Sequence, residues 1–266
     1  TLIGYINLDH IVWLKNKTID GIIHEKTTKL LNSNIFVNQQ ENKEISLKIK
    51  NALNKNLSKK FFFGKDFNIC RRENSFIQYQ DLLGEIIIPE PNLLGDHQLG
   101  NISTSIAASR KLFNVKDDHI KKGVTKIELK GRLQEIKSGK LKKLVGQNRL
   151  IVDGGHNIGA SKAISNWIKN QNQDVHIIVG MMKDKSHKEF IDCFKNIVKS
   201  IQLVDIPNQK GAISKEEFKN KLEKSNINIS LANSIEESLK SIAKYQNSIG
   251  ICTGSLYLTG EVLNLN

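Results

Sequence analysis

The apolar residues of the second half fall into short runs separated by stretches of helical spacing. Runs at Leu150–Val152, Val175–Val179, Ile201–Val204, Ile227–Leu231 and Ser248–Cys252 have the length of buried strands. Helical patterns lie between them and after the last. Behind the first run, Ala160, Ala163, Ile164, Trp167 and Ile168 share one helical face. This alternation predicts βαβ units with right-handed crossovers, hence a largely parallel, doubly wound sheet.

Upstream of about residue 115 the pattern is more mixed. Residues 1–10 predict a strand ending in Asn7-Leu8-Asp9-His10. After a loop at Lys15–Thr18, a helix from about Ile19 carries Ile19, Ile22, Ile23 and Leu30 on one stripe. Lys26 falls on that stripe, so an inward lysine is expected. Lysines are rarely buried unless paired or functional, and the bland alternative is a stem that snorkels outward. Next come a strand at Ile35–Asn38, a Lys- and Asn-rich helix over about Lys43–Leu57, and another short strand before Phe63. Residues 66–88 read as antiparallel strands with a tight turn near Leu83-Gly84, closed by Pro89 and Pro91. Gly95–Asn101 leads into a helix carrying Ile102, Ile106, Ala107 and Leu112. His97 and Asn101 sit in its first turn, where a polar side chain either caps the helix or holds a ligand. Val115–Lys122 reads as a short polar helix, and residues 137–148 as a basic insertion.

Three strand ends carry ligand-type sequences: Asp153-Gly154-Gly155-His156, Gly180-Met181-Met182-Lys183-Asp184-Lys185 and Thr253-Gly254-Ser255. In a parallel sheet they share the C-terminal edge, where open α/β sheets bind ligands. A glycine turn followed by a helix start offers backbone N–H groups and the positive end of a helix dipole to an anion. The plainer alternative is a β-to-α connection, with Asp153 forming the turn and Asn157 capping the helix.

At 266 residues the chain holds one large or two ordinary domains. No apolar run approaches membrane-spanning length and no basic-then-apolar leader is present, so no membrane association is expected. Cys70, Cys193 and Cys252 are far apart and form no metal-ligand spacing, which suggests reduced thiols and a cytoplasmic location. The net charge is +13, which invites a nucleic-acid reading. The lysines are spread along the whole chain, however, and no basic run is interleaved with aromatics. Nucleic-acid binding is therefore not expected, and a positive surface also suits small polyanionic substrates.

Seven motifs occur in one order: Leu8-Asp9-His10, Glu25-Lys26, Gly95-x-His97-Gln98-x-x-Asn101, Gly131-Arg132-Leu133, Asp153-Gly-x-His156-Asn157, Gly180-Met-x-x-Asp184-Lys185 and Gly254-Ser255-Leu256-Tyr257-Leu258. This collinear set resembles the folylpolyglutamate synthase/dihydrofolate synthase family of Mur-type ATP-dependent amide ligases. The resemblance covers nearly the whole chain. It implies the C-terminal part of a central P-loop-type ATPase domain over residues 1–126. A Rossmann-like glutamate-binding domain with a mainly parallel sheet would follow over 127–266, with ATP in the interdomain cleft.

The resemblance further implies that ATP phosphorylates a carboxylate of dihydropteroate or of a folate, and that the amine of L-glutamate attacks the acyl phosphate. His10 would be a ligand of Mg²⁺, and Lys26 matches a lysine that is carbamylated, turning an ammonium into an oxygen donor. Asn101 would sit at the adenine, Arg132 at ribose and phosphates, and Asp153 at the ribose. His156 and Ser255 match positions near the incoming glutamate. The family also implies a monomer.

Departures from the pattern are Thr27 and Thr28 in place of small residues, Gly155 in place of Ala, Lys130 in place of Pro, and the 137–148 segment, which lengthens the path from Arg132 to Asp153. A phosphate-binding loop is absent as well. Phe63-Gly64-Lys65-Asp66 lacks both the glycine repeat and the hydroxyl that would hold the metal. The chain thus reads as an inactive fragment beginning inside the ATPase domain. Two rival readings stand beside this one: a Mur-type ligase acting on a cell-wall precursor, and a non-catalytic basic binding protein.

Overall fold

The computed structural model describes residues 1–8, 16–28, 30, 33–72, 76–222 and 227–266. His10, and with it the expected end of the first strand, lies outside the described residues. The chain divides into two compact units, Thr1–Asn92 with Asp96–Glu128, and Leu93–Gly95 with Leu129–Asn266. No helix among the described residues is long and apolar enough to cross a membrane.

In the first unit, β1 (Leu2–Ile3), β2 (Ile35–Val37) and β3 (Lys60–Phe62) form a parallel sheet with β2 central. Helices α1 (Ile19–Thr28) and α2 (Lys43–Ala52) pack with it around Ile3, Ile23, Ile35, Val37, Ile49 and Leu53. Helix α2 ends at Leu53, earlier than the periodicity suggests; Asn54 and Asn56 turn the chain instead, donating back to Asn51 and Leu53. Lys26 is exposed, contrary to the inward placement its stripe predicts. Ile22, Ile23 and Thr27 take the buried positions around it. Thr27 is accommodated because its hydroxyl donates to the Ile23 carbonyl at 2.7 Å. A four-carbon stem lets the Lys26 ammonium reach water from the same stripe.

Strands β4 (Phe67–Arg71), β5 (Phe76–Asp81) and β6 (Gly84–Pro89) form an antiparallel meander. The β5–β6 turn is Leu82-Leu83, with Asp81 Oδ1 accepting the Leu83 N–H at 2.8 Å. Helix α3 (His97–Phe113) and α4 (Asp117–Thr125) complete the unit.

The second unit is a six-stranded sheet of order β11-β10-β9-β12-β8-β7. Its members are β7 (Gln134–Glu135), β8 (Arg149–Val152), β9 (Asp174–Val179), β10 (Ser200–Leu203), β11 (Ile229–Leu231) and β12 (Ser248–Thr253). All pairs are parallel except β7–β8, which adds an antiparallel edge. Side chains alternate between two cores, as a period of two requires. On one face Ile151, Ile177, Val179 and Ile251 meet α6 (Ile158–Lys169), α7 (His187–Asp192) and α8 (Lys215–Lys221). On the other, Leu150, Val152, Ile178 and Cys252 meet α5 (Lys140–Leu144), α9 (Ile235–Ile242) and α10 (Leu256–Leu265). Because both faces are covered, the strands read as continuous apolar runs.

The basic 137–148 segment is therefore a structural element. Its Leu141 and Val145 enter the second core, and the Asn266 side chain accepts the Leu141 and Lys142 N–H groups at the start of α5. Asn148 then joins three elements. It is 3% exposed, its Nδ2 donates to the Ile242 and Tyr245 carbonyls, and its Oδ1 accepts the Ser248 N–H. Asn148→Ala strands these buried groups and should destabilise the fold by about 2–4 kcal/mol, read as a lower urea midpoint with an unchanged slope.

Two buried histidines set an acid limit. His176 Nδ1 lies 2.8 Å from Ser200 Oγ, while its Nε2 is buried without a partner. His187 Nε2 donates to the Met182 carbonyl at 3.0 Å. Burial, before nearby charges, holds both imidazoles below their ordinary 6.5. Both are neutral in the fold and charge more readily when unfolded. The stability they contribute is present above about pH 6.5 and lost as pH falls through the folded values. The urea midpoint should fall between pH 7 and pH 5, and fall less in a His176→Asn/His187→Asn double variant.

Candidate active site

The second unit is organised around β12, which lies between β8 and β9 although it comes last in the chain. Cys252 pairs with Val152 and Thr253 with Val179, so three strand ends finish side by side. Backbone bonds continue past the strands. Asp153 N–H donates to the Cys252 carbonyl at 2.9 Å, and Gly254 N–H to the Gly155 carbonyl at 2.9 Å. Side chains have little room here. A Cβ on Gly155 would come within 2.7 Å of both Ala160 Cβ and Asp153 Oδ1. One on Gly254, at φ +106°, would meet the Gly180 carbonyl oxygen at 2.7 Å. The glycines serve close approach of backbones.

Arg132, Asp153, His156 and Ser255 all gather at this edge. Asp153 is 5% exposed and uses both carboxylate oxygens. Oδ2 accepts the Leu133 N–H at 2.8 Å and Oδ1 the Gly155 N–H at 2.7 Å. Burial lifts its carboxyl above the usual carboxylate range. The Leu133 and Gly155 N–H groups, then the charges of Arg132 and His156, pull it back. Gly154 N–H donates to the Gly131 carbonyl at 2.8 Å. The Gly131–Leu133 loop is thereby stitched to the β8 turn, with Arg132 exposed at its apex. The 137–148 segment leaves Arg132 and Asp153 adjacent.

His156 is half-buried, and its Nδ1 lies 3.0 Å from the Gly154 carbonyl. Asn157 caps α6 by accepting the Ala160 N–H at 2.9 Å. Ser255 is 2% exposed and caps α10, its Oγ accepting the Tyr257 N–H at 3.1 Å. That bond leaves the hydroxyl proton to donate. The edge thus presents a guanidinium, an imidazole, a hydroxyl and two helix N-termini, a set suited to carboxylates and phosphates.

The other candidates belong to the first unit. Asn101 does not cap α3. Its Oδ1 accepts from Asn38 Nδ2 at 2.8 Å and its Nδ2 donates to Gln98 Oε1 at 2.9 Å. Gln98 also contacts His97 at 3.1 Å. Sequence reasoning missed Asn38 as part of this network; its position at the end of β2 was the available signal. Lys26 lies in the last turn of α1. Among the described residues, no group of three or more His, Cys, Asp or Glu side chains converges as metal ligands do.

Residues 131–256 match the family described as Mur ligase, glutamate ligase domain. Over 182 residues the chain is 28% identical to the dihydrofolate synthase/folylpolyglutamate synthase of Haemophilus influenzae, covering 61% of this chain and 41% of that protein. The solved structure of E. coli FolC in complex with DHPP and ADP superposes with a TM-score of 0.83 at 19% identity, over 99% of this chain and 60% of that one. The bifunctional folylpolyglutamate synthase/dihydrofolate synthase from Yersinia pestis, complexed with AMPPNP and Mn ion, gives 0.82 at 18% identity, over 99% and 60%. The chain spans less than half the length of that curated relative. Residues 131–256 thus match a Mur ligase, glutamate ligase domain, and the chain shares the fold of the solved folylpolyglutamate synthase/dihydrofolate synthase structures.

Proposed function

We propose that this chain is part of an ATP-dependent ligase that joins L-glutamate to dihydropteroate or to a (poly)glutamyl folate. The observation that carries this reading is the convergence of Arg132, Asp153, His156 and Ser255 on one sheet edge within the matched ligase domain. Its relatives' names supply the substrate class.

The chemistry begins with a carboxylate oxygen of the acceptor attacking the γ-phosphorus of ATP. The bond to the bridging oxygen breaks, ADP leaves, and an acyl phosphate forms. The neutral amine of glutamate then attacks the acyl carbon, phosphate leaves with the bonding pair, and the nitrogen loses a proton. Both steps bring anions together, so the protein's task is to hold them in place and neutralise charge. Arg132 is an exposed cation at the edge and serves the nucleotide phosphates and ribose. Asn101, by the resemblance, would serve the adenine. His156 and the Ser255 hydroxyl receive the carboxylates of glutamate.

A divalent cation, Mg²⁺ by the resemblance, would be held by His10 and a carbamylated Lys26 and would offset phosphate charge. The exposed Lys26 amine is open to that modification.

In the full-length protein, phosphate release from ATP should require both glutamate and a dihydropteroate or folate acceptor. Arg132→Ala should raise the KM for ATP by about tenfold, the scale of one charge-assisted contact. Ser255→Ala should raise the KM for glutamate more than that for ATP. A defect confined to ATP would misplace the amino-acid pocket. Turnover confined to a muramoyl nucleotide acceptor would move the protein to the cell-wall branch.

A further inference from the structure

We propose that Asn38 is a positioning residue that decides which way round the Asn101 carboxamide stands, and thereby favours a 6-amino purine over a 6-oxo purine at that side chain. This rests on the reading of Asn101 as a contact of the nucleotide base. All of the residues concerned belong to the first unit.

A carboxamide is nearly symmetric in shape, and turning it by about 180° exchanges an acceptor for two donors. What it bonds to settles the choice. At Asn38 the backbone makes it. Asn38 Oδ1 accepts the Gln39 N–H at 2.7 Å, and a backbone N–H can only donate. Asn38 Nδ2 is therefore the end that faces Asn101, where it donates to Oδ1 at 2.8 Å. Asn101 Nδ2 in turn donates to Gln98 Oε1 at 2.9 Å. One backbone group thus orients Asn38, Asn101 and Gln98 in series.

The first amide of the series has little freedom. Asn38 follows β2 and is 6% exposed. Its N–H donates to the Ile3 carbonyl at 2.9 Å, and its carbonyl accepts from Gln40 Nε2 at 2.9 Å. Its Oδ1 also lies close against α3, where a Cβ on Gly100 would meet it at 2.8 Å. Gln98, the last of the series, is buried, and Asn101 between them is exposed.

The two bonds use half of what the Asn101 amide has. Its oxygen keeps a second lone pair and its nitrogen a second N–H. Asn101 therefore offers one acceptor and one donor in a fixed sense. Adenine presents an N6–H donor beside an N7 acceptor, a pattern that an asparagine amide meets with both atoms. Hypoxanthine carries an oxygen at C6, which would face Oδ1 lone pair to lone pair. A free amide would turn over to serve that oxygen. Turning this one would set donor against donor at Asn38 Nδ2 and acceptor against acceptor at Gln98 Oε1.

Affinities for ADP and inosine diphosphate in the full-length protein test the proposal, because the two nucleotides differ only at C6 and N1 of the base. The parent should bind ADP about tenfold or more tighter. Asn38→Asp keeps the size and the bond from Gln39 but offers Asn101 an acceptor in place of a donor. Asn101 then turns its nitrogen to the carboxylate, and the ADP preference should fall about tenfold. The ratio removes any common effect of the added charge. In an Asn101→Ala background the same substitution should change the preference by less than about twofold. A parent that binds both nucleotides alike would overturn the proposal. So would an equal loss for both nucleotides in Asn38→Asp, which is what a purely structural role gives. If Asn101→Ala leaves ADP affinity and preference unchanged, Asn101 is not a base contact, and the orientation is read without ligand. By NMR the Asn101 side-chain amide protons should then move downfield in Asn38→Asp, as donors to a carboxylate do; unmoved signals would overturn the orienting role itself. If Asn38→Asp does not fold, Asn38→Ala, which frees the Asn101 amide to turn, must lower the ADP preference in the same direction.

Discussion

Everything at the ligand edge depends on β12 being inserted between β8 and β9. Neighbouring strands in a sheet lie about 4.8 Å apart. Three consecutive strand ends therefore deliver their turns within a span that backbone alone nearly fills. The turns are bonded to one another, through Gly254 to Gly155 and Asp153 to Cys252, before any side chain takes part. Glycine at 155 and 254 follows from that crowding, since a methyl group would press on a neighbouring carboxylate or carbonyl. The same insertion reverses the direction of the chain across the sheet. It sends α9 to the face opposite α6, α7 and α8, which gives the sheet its two cores.

Such an edge is rigid where it is made of ladder bonds and must be made rigid elsewhere. The Gly131–Leu133 loop belongs to no strand, so a side chain adds to the backbone bond from the Gly154 N–H to the Gly131 carbonyl. A carboxylate can do this because it accepts from two N–H groups at once, and each charge-assisted bond is stronger than a neutral one. Burial works against the charge and raises the carboxyl's proton affinity. The two N–H groups, with Arg132 and His156, act in the opposite direction. Asn101 is held by similar means in the first unit, within amides supplied by Asn38 and Gln98.

Much of this was legible in the sequence, and the gaps have physical causes. Strands buried on both faces announce themselves as apolar runs, so β8, β9, β10 and β12 stood out. The common edge followed from their being parallel. A two-residue strand such as β7 has no pattern to read. Helix α5 was hidden because Leu141, Leu144 and Val145 are set among lysines and read as a basic loop. Lys26 was placed inward because helical spacing fixes the direction of a Cβ, while a long stem decides for itself where its charge ends. The inward use of Asp153 left no mark in the sequence, since its partners are backbone groups, one of them twenty residues away.

That last point separates two kinds of residue that a motif treats alike. Asp153, Ser255 and Asn101 each spend polar atoms on the protein's own framework. Arg132 and Lys26 are exposed and direct their charge to solvent. A ligand that approaches the second unit's edge meets Arg132 first, together with the helix N-termini of α6 and α10. Recognition of anions there falls to groups whose positions are fixed from beneath, the half-buried His156 and the capping Ser255 among them. Exposed long side chains otherwise lose conformational entropy on binding, so fixing the two backbone neighbours of Arg132 before a ligand arrives removes part of that cost. The strained Leu133 is intelligible on the same terms: a left-handed residue inside an ordered core is a small standing expense in stability that sets the direction of the one cation beside it.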